Sequence, residues 1–329
     1  MNTRKECSLT SDIIVGDCIS EMRKIPDGSF KMVFADPPFN LDKRYDNVND
    51  SLHESDYISW CEEWIKEIVR VTMDDGAIFL HNIPKWLIVY ANFLNKKAIF
   101  KHWISWDAPT SPMGKSLQPS HYGILYYAKT SLHKMHEIRQ QHKRCRVKKC
   151  STLLKDYGGK KDTIHPFGPL VSDVWTDIHR HKHACYLDEH PCQLPVHLLE
   201  RLILMTTNEN DLILDPFFGT GTTGVAAKRL GRFYLGIDKS EKYVNLCKKR
   251  IELTESSKLE DFWVSIYINK LFTVRDVDIG PINNFNPLWK KLYENWPETK
   301  EMRCLLNTQE LEFKPSIKER IKEICENQK

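Results

Sequence analysis

A short acidic, proline-containing motif follows an apolar run near the start of the chain. Residues 32–35 are apolar and lead directly into Asp36-Pro37-Pro38-Phe39. Proline lacks a backbone N–H and has a fixed φ, so this loop is rigid and rich in acceptors. Its carbonyl and carboxylate oxygens beside an aromatic face suit the exocyclic amino group of a planar ring, which has two N–H donors. Taken alone, the motif is also typical of a turn that ends a strand.

A glycine-rich motif follows a later apolar run, residues 212–214, and includes Asp215, Phe217, Gly219, Thr220, Gly221, Thr222, Thr223 and Gly224. Glycines let the backbone approach a ligand closely, and a helix that starts there presents unpaired N–H groups. The glycine spacing matches a dinucleotide fingerprint, and Asp238 lies near the expected position of a ribose-binding acid. A nicotinamide site has no equivalent of Asp215, whose carboxylate suits a ligand that carries an ammonium group.

These two motifs resemble those of the DNA amino-methyltransferases that use S-adenosyl-L-methionine (AdoMet). The family's catalytic tetrapeptide is (Asp/Asn/Ser)-Pro-Pro-(Tyr/Phe/Trp), which residues 36–39 match, and its AdoMet-binding motif is similar to residues 215–224. We call these two segments the DPPF loop and the Gly-rich loop. A third segment, residues 190–195, resembles the family's His-Pro-x-Gln-Lys-Pro, with Leu194 in place of the usual lysine. The DPPF loop precedes the Gly-rich loop, which resembles the β-group order, a circular permutation of the fold.

The resemblance implies roles for the DPPF loop. Asp36 would accept a hydrogen bond from the target amino group, and the Pro37 carbonyl would accept the second. Phe39 would stack on a base flipped out of the duplex. With Pro38, these residues form the predicted catalytic set. Methyl transfer would then be direct, without a covalent enzyme intermediate, and would depend on positioning and electrostatics.

The resemblance also implies AdoMet as the cofactor and a set of residues that bind it. The Gly-rich loop would line the methionine part, Asp238 would bind the ribose, and Asp17 is a candidate for the adenine. The predicted cofactor-binding residues are Asp17, Cys18, His190, Gln193, Asp215, Phe217, Gly219, Thr220, Gly221, Thr222, Thr223 and Asp238.

The target base is predicted to be adenine, methylated at N6, because the family's Asp-Pro-Pro form occurs more often with adenine. Cytosine N4 is the alternative, since Phe39 does not distinguish the two. Less favoured hypotheses are an RNA target, a nicotinamide oxidoreductase and a DNA-binding protein with a degenerate catalytic core. Cytosine C5 chemistry, which needs a thiolate such as Cys192, is disfavoured because this cysteine lies inside the third matching segment.

One strongly basic segment lies between the two loops. Residues 133–161 contain ten basic residues (Lys or Arg) but only two acidic residues (Asp or Glu), whereas the whole chain has 48 basic and 44 acidic residues. Such a patch favours a polyanion as partner, although a solvated charged loop is the alternative. We expect it to contact duplex DNA, through Lys143, Arg144, Arg146, Lys148, Lys149, Lys160 and Lys161. No metal site is predicted; zinc at Cys145 and Cys150 is the less favoured alternative.

Apolar runs that alternate with helical patterns predict an α/β fold, a mostly parallel sheet with helices on both faces. The family resemblance makes this a circularly permuted, Rossmann-like AdoMet methyltransferase fold with an inserted target-recognition segment. We predict a catalytic half (10–130), the basic insert (131–184), an AdoMet-binding half (185–255) and a helical C-terminal extension (256–329).

The composition of the 329-residue chain is that of a globular protein, with a net charge of +4 and 41% hydrophobic residues. No apolar run is long enough for a membrane span, and the charged start predicts no secretory signal. Ten scattered cysteines then favour a reducing cytoplasm. A monomer and a homodimer both stay open, as does a cognate restriction endonuclease as partner.

Overall fold

The computed structural model describes residues 11–45, 48–108, 117–136, 138–139, 170–176, 178, 193–254 and 277–278. Among them no helix is both long and apolar enough to cross a membrane. The described strands are β1 (Asp12–Val15), β2 (Phe30–Ala35), β3 (Lys43–Tyr45), β4 (Val48–Asp50), β5 (Thr72–Asn82), β6 (Ile99–Asp107), β7 (His121–Ala128), β8 (Ile138–Arg139), β9 (Val174–Trp175), β10 (Leu212–Asp215), β11 (Phe233–Asp238) and β12 (Val277–Asp278). The described helices are α1 (Cys18–Met22), α2 (Glu54–Val71), α3 (Pro84–Leu94), α4 (Val196–Thr206), α5 (Thr222–Arg229) and α6 (Glu241–Glu252).

The main sheet has eight strands in the order β1-β11-β10-β2-β5-β7-β6-β9. Its strand pairings are parallel except those of β7, which runs antiparallel to both β5 and β6. The predicted α/β architecture with a mostly parallel sheet is therefore confirmed. The sequence did not predict the antiparallel direction of β7. It arises because β6 and β7 follow each other without an intervening helix.

Helices cover the sheet on both faces, as the alternation of buried residues along β2 shows. Val33 and Ala35 belong to the core cluster that also contains the apolar faces of α1, α2 and α3. Met32 and Phe34 point to the opposite face and are just as fully buried. Side chains alternate between the faces of a strand, so a central strand that is apolar throughout has both faces covered.

The pairing of β2 with β10 brings together parts of the chain that are far apart in sequence. Met32 is in register with Ile213, and Val33 with Leu214, in a parallel ladder. Both strands therefore end at the same edge of the sheet, where β1 and β11 also end. Ligand sites of open α/β sheets form in the crevice outside these carboxyl ends. The DPPF loop and the Gly-rich loop both begin at this edge.

The start of β5 contains three residues whose types favour a turn. Asp74, Asp75 and Gly76 are typical of a turn between a helix and a strand, but they lie inside β5, which begins at Thr72 immediately after α2. The register against β2 shifts there, so these residues form an irregularity in the ladder. The Asp75 carboxylate accepts from Lys31 at 2.5 Å, and this ion pair holds the acidic bulge beside the neighbouring strand.

The chain divides into two compact units. One comprises Met1–Met135 with Asp173–Ser256, and the other comprises His136–Ser172 with Ser257–Lys329. Within the second unit, β8 and β12 pair antiparallel, with Arg139 opposite Val277. Part of the basic insert and the C-terminal extension thus belong to the same unit. The domain boundaries given by sequence stay a prediction.

Candidate active site

A cavity of about 620 Å³ opens at the carboxyl edge of the sheet and is lined by both predicted loops. All four residues of the DPPF loop line it, together with most of the Gly-rich loop. Further lining residues come from the ends of β1 and β11, from α2 and from the segment before α4; they include Gly16, Cys18, Tyr57, Trp60, Gln193, Asp238 and Lys239. One cavity therefore brings together the residues expected to bind a cofactor and those expected to hold a target group.

Hydrogen bonds from two helices fix the backbone of the DPPF loop. The Tyr57 hydroxyl of α2 donates to the Pro38 carbonyl at 2.5 Å, and the Trp86 indole N–H of α3 donates to the Phe39 carbonyl at 2.6 Å. Tyr57 also lies 2.8 Å from the hydroxyl of Tyr90. Within the part of the chain that the structure describes, the Pro37 carbonyl has no protein donor. The Pro37 carbonyl is therefore available to accept from a ligand.

Asn40 closes the DPPF loop onto the segment that follows β4. It has a positive φ of 52°, and its amide both donates to the Leu52 carbonyl and accepts from the Leu52 N–H. The buried Asp50 carboxylate accepts from the backbone N–H groups of Asn40 and Leu41. These local bonds take the place of the strand pairing that ends at Ala35 and satisfy the backbone N–H groups that follow the loop.

Asp36 is held by a histidine that sequence analysis missed. Asp36 Oδ1 lies 2.7 Å from Nδ1 of His81, near the end of β5. His81 is 2% exposed, whereas the Asp36 side chain is 19% exposed at the cavity. In the described residues, Asp36 Oδ2 has no hydrogen-bond partner. The sequence contains a signal for this histidine, since it directly follows an apolar run, as Asp36 does.

The Gly-rich loop is anchored by the predicted ribose acid. The Gly219 N–H donates to Asp238 Oδ2 at 2.7 Å, and the Ser240 N–H donates to Oδ1 at 2.8 Å. Gly221 then caps α5 with a φ of +76°, a left-handed conformation that favours glycine. The Asp238 carboxylate therefore organises the loop, and each of its oxygens can accept more than one hydrogen bond.

Asp215 is buried at the end of β10. Its oxygens accept from the Thr223 hydroxyl at 2.5 Å and from the Phe217 N–H at 3.0 Å. Burial raises the pKa of Asp215 to about 7, against these hydrogen bonds, and the nearby carboxylates of Asp36 and Asp238 raise it further. A cation bound beside Asp215 would favour its ionised form.

Asp17 and Cys18 follow β1, at the start of α1. Asp17 caps α1 by accepting from the Ser20 N–H, and its other oxygen forms an ion pair with Lys239 at 2.8 Å. Burial opposes ionisation, but Lys239 and Ser20 outweigh it and lower the pKa of Asp17. Burial raises the pKa of the Cys18 thiol to about 12, so Cys18 lines the cavity as a neutral group.

Arg250 of α6 is a second residue that sequence analysis missed. Its guanidinium donates to the Thr220 carbonyl at 3.1 Å and to the Thr222 hydroxyl at 3.2 Å. With its amide oxygen turned toward Arg250, Gln193 accepts from the same group at 2.7 and 3.1 Å. Arg250 thereby joins the Gly-rich loop to the third predicted segment. No motif in the sequence points to it, because the contact depends on how α6 packs.

Other predicted residues lie outside the described part of the chain. These are His190, the cysteines proposed for zinc and the seven DNA-contacting residues of the basic insert. His133, at the edge of that insert, is described and buried, with its two ring nitrogens bonded to Tyr126 and to the Asp75 carbonyl. In the described residues, no group of three or more His, Cys, Asp or Glu side chains could hold a metal ion.

Comparison with known proteins gives relatives for most of the chain. Type II methyltransferase M.BamHI of Bacillus amyloliquefaciens is 37% identical over 276 residues, which are 83% of this chain and 64% of that protein. The chain thus spans less than two thirds of that relative. DNA adenine methyltransferase YhdJ of Escherichia coli (strain K12) is 30% identical over 258 residues, 76% of this chain and 85% of that protein.

Solved structures share the fold. TTHA0409 of Thermus thermophilus, complexed with S-adenosyl-L-methionine, has a TM-score of 0.52 at 21% identity and covers 74% of this chain and 93% of its own. The cytosine-N4-specific PvuII DNA methyltransferase has a TM-score of 0.54 at 18% identity, over 80% of this chain and 93% of its own. The model of the N6/N4 methyltransferase family, described as DNA methylase, matches residues 30–249. That range contains the DPPF loop, the third segment and the Gly-rich loop, so this chain belongs to the N6/N4 DNA methylase family, whose cofactor is AdoMet.

Proposed function

We propose that this protein is a site-specific DNA methyltransferase that methylates the exocyclic N6 of adenine in duplex DNA. The observation that carries the proposal is that the DPPF loop and the Gly-rich loop line one cavity, with Asp36 and Asp215 at the ends of adjacent parallel strands. A cofactor bound by one loop would then lie beside a base held by the other. Positioning of this kind can supply much of the rate enhancement of a group transfer.

The donor set of the cavity fits AdoMet. Its volume of about 620 Å³ suits a nucleoside-sized ligand. Asp215 would hold the ammonium group with Gly219 and residues 220–223 around the methionine part, and Asp238 would accept from the ribose hydroxyls. Asp17, Cys18, Phe217, His190 and Gln193 stay candidates for the remaining contacts. When bound, AdoMet supplies a methyl group on a positively charged sulfur.

The DPPF loop offers the acceptors that an amino group needs. The Pro38 and Phe39 carbonyls are already bonded to Tyr57 and Trp86. Asp36 Oδ2 and the Pro37 carbonyl have no donor among the described residues, and each would accept from one N–H of the amino group. Holding both N–H groups orients the nitrogen lone pair toward the cofactor. The Phe39 ring, itself packed against His81 and Tyr122, supplies a face on which the base stacks.

The base must leave the duplex to reach this loop. A base inside a helix is stacked and paired, so enzymes that modify an amino group take the base into a pocket. We infer that the basic insert contacts the DNA backbone, because lysine and arginine clusters bind phosphate regardless of sequence. The name Type II methyltransferase of several relatives favours a cognate restriction endonuclease as a functional partner.

Adenine is favoured as the target because the motif begins with aspartate and because one relative is named a DNA adenine methyltransferase. Cytosine N4 is the second candidate, since a fold neighbour is named cytosine-N4-specific and both bases present an amino group beside a ring nitrogen. The acceptors of the DPPF loop would serve either base.

The test is to incubate the purified protein with unmethylated duplex DNA and methyl-labelled AdoMet, digest the DNA to nucleosides and locate the label by mass spectrometry. Label on N6-methyladenine is expected. Label on N4-methylcytosine would retain the reaction but change the base. Absence of label from both, in a protein that binds AdoMet, would contradict a duplex DNA substrate, and single-stranded DNA and RNA would be tried next.

A further inference from the structure

We propose that His81 is a positioning residue for methyl transfer: it orients the Asp36 carboxylate so that one oxygen stays available to the target amino group. This inference rests on the proposed function of the DPPF loop. The two residues come from different elements, since Asp36 follows β2 and His81 lies near the end of β5. Their contact depends on the register of the sheet.

That register places the two side chains next to each other. Ala35 of β2 is opposite Leu80 of β5 in the parallel ladder, so Asp36 and His81 occupy the next position along. Asp36 Oδ1 lies 2.7 Å from His81 Nδ1. An ionised carboxylate only accepts hydrogen bonds, so the contact assigns the ring proton to Nδ1.

Packing restrains the imidazole ring so that the bond has one geometry. The ring is 2% exposed, and its centroid lies 5.7 Å from that of Phe39, 5.3 Å from that of Tyr122 and 5.8 Å from that of Trp106. Nε2 is buried without a hydrogen-bond partner among the described residues. A proton on Nε2 would be a buried donor without an acceptor, which is costly and again favours the Nδ1–H tautomer.

As a consequence, the two oxygens of Asp36 have different roles. Oδ1 is bonded to His81, which limits rotation of the carboxylate about its Cβ–Cγ bond. Oδ2 is then left for the amino group, while His81 also packs against the Phe39 ring. His81 is thus in contact with both side chains of the DPPF loop that would meet the base. Replacing His81 should therefore misplace the Asp36 acceptor while the carboxylate itself is still present.

The test compares two substitutions of this histidine. Asn has an amide nitrogen at the same number of bonds from Cα as Nδ1, so His81→Asn keeps the donor. Leu is of comparable size and has no donor. We expect His81→Leu to lower kcat roughly 10- to 100-fold, which corresponds to the free energy of a hydrogen bond to a charged group. His81→Asn should recover most of that loss, and both variants should keep the wild-type KM for AdoMet.

His133→Leu is the matched control, because His133 is also buried but follows β7 and contacts Tyr126 and the Asp75 carbonyl, outside the cavity. It should lower thermal stability at least as much as His81→Leu while leaving kcat near wild type. A wild-type kcat in a folded His81→Leu variant would overturn the proposal. An equal loss of kcat in His81→Asn and His81→Leu, when both variants fold and bind AdoMet, would also overturn it.

A readout that does not need turnover separates this inference from the function itself. In protein with ¹⁵N-labelled histidine, the imidazole nitrogen shifts of His81 should show the proton on Nδ1, and Asp36→Ala should change them. A proton on Nε2 would contradict the contact. If the tautomer is as expected but no nucleic acid is methylated, the proposed function fails while the His81–Asp36 contact stands.

Discussion

At the scale of single residues, the site is defined by which acceptors are already bonded and which are left. Tyr57 and Trp86 bond two of the carbonyls of the DPPF loop, and His81 bonds one oxygen of Asp36. The remaining Asp36 oxygen and the Pro37 carbonyl are fixed in place before any ligand arrives. Preorganised groups of this kind need no rearrangement during the reaction, and much of their effect on the rate comes from this.

We expect Asp36→Ala to lower methyl incorporation by about two to three orders of magnitude, as for loss of one preorganised group at a reacting centre. AdoMet affinity should be nearly unchanged, because Asp36 is assigned to the base and not to the cofactor. Label incorporation and calorimetric AdoMet binding measure the two effects. Glu62→Ala, at an exposed position of α2, is the control. Loss of AdoMet binding in Asp36→Ala would show that its assigned role is wrong.

We expect Asp215 to make stability and AdoMet binding depend on pH. Its pKa is about 7 in the folded protein against 3.8 ordinarily, so the folded state binds the extra proton between these values. The stability that this proton contributes is fully present below about pH 3.8 and is lost as pH rises through about 7. A cationic group of AdoMet would instead favour the carboxylate, so AdoMet affinity should rise with pH over the same range.

Asp215→Asn should remove both dependences. The variant should lose less thermal stability than the wild type when pH is raised from about 5 to about 8, and its AdoMet affinity should be low and flat over that range. Thermal unfolding and AdoMet titration at several pH values measure this. Asp56→Asn, at an exposed position of α2, should behave as the wild type. An Asp215→Asn variant whose AdoMet affinity still rose with pH would assign the proton to another group.

At the scale of elements, the junction of the Gly-rich loop with α5 depends on backbone conformation and on α6. Gly221 has a φ of +76°, and a Cβ built there would lie 2.8 Å from the Cβ of Cys247 on α6. Gly231 also has a positive φ, +69°, but a Cβ there would meet no atom closer than 3.8 Å. The two glycines share the left-handed conformation, but an added Cβ would be crowded only at Gly221.

Gly221→Ala and Gly231→Ala therefore separate backbone strain from crowding. Both variants should lose about 1 kcal/mol of stability for an alanine in the left-handed region. Gly221→Ala should lose about 1–3 kcal/mol more, because α6 must shift, and its AdoMet affinity should fall. Chemical denaturation and AdoMet titration check this. Equal effects of the two substitutions would show that α6 does not restrict the loop.

At the scale of the whole molecule, the charge of the chain is concentrated in one part. The net charge is +4 overall, whereas residues 133–161 hold ten basic and two acidic side chains, so the remainder is net acidic. An acidic body should repel DNA and leave the basic insert as the attachment point, if the insert contacts phosphate as proposed. Such binding weakens steeply with salt because it releases counterions.

The double substitution Lys148→Ala and Lys149→Ala should weaken DNA binding and reduce the slope of log affinity against log salt by roughly 0.9 per lysine. Affinity measured by fluorescence anisotropy over a salt series gives this slope. Lys96→Ala with Lys97→Ala removes the same charge after the C-terminus of α3, at the sheet edge away from the cavity, and should leave the slope unchanged. An unchanged slope in the first variant would place the DNA contacts elsewhere, with the C-terminal extension as the next segment to test.

The sequence by itself determined the features that are local along the chain. The apolar runs before Asp36 and Asp215 predicted strands that the structure confirms, and the family match contains both motifs. The alternation of strands and helices was enough for the fold class, because hydrophobic periodicity reports which face of an element is buried. The bulge in β5 was missed, since Asp74, Asp75 and Gly76 have the local signature of a turn.

Only the tertiary structure decided what surrounds these motifs. The contacts of Asp36 with His81, of Pro38 with Tyr57 and of Thr220 with Arg250 join elements distant in sequence. Sheet register and helix packing bring such residues together, and neither is encoded in the spacing within one motif. This is why the sequence could name the acceptor groups, while the fold determined which of their oxygens are left for a ligand.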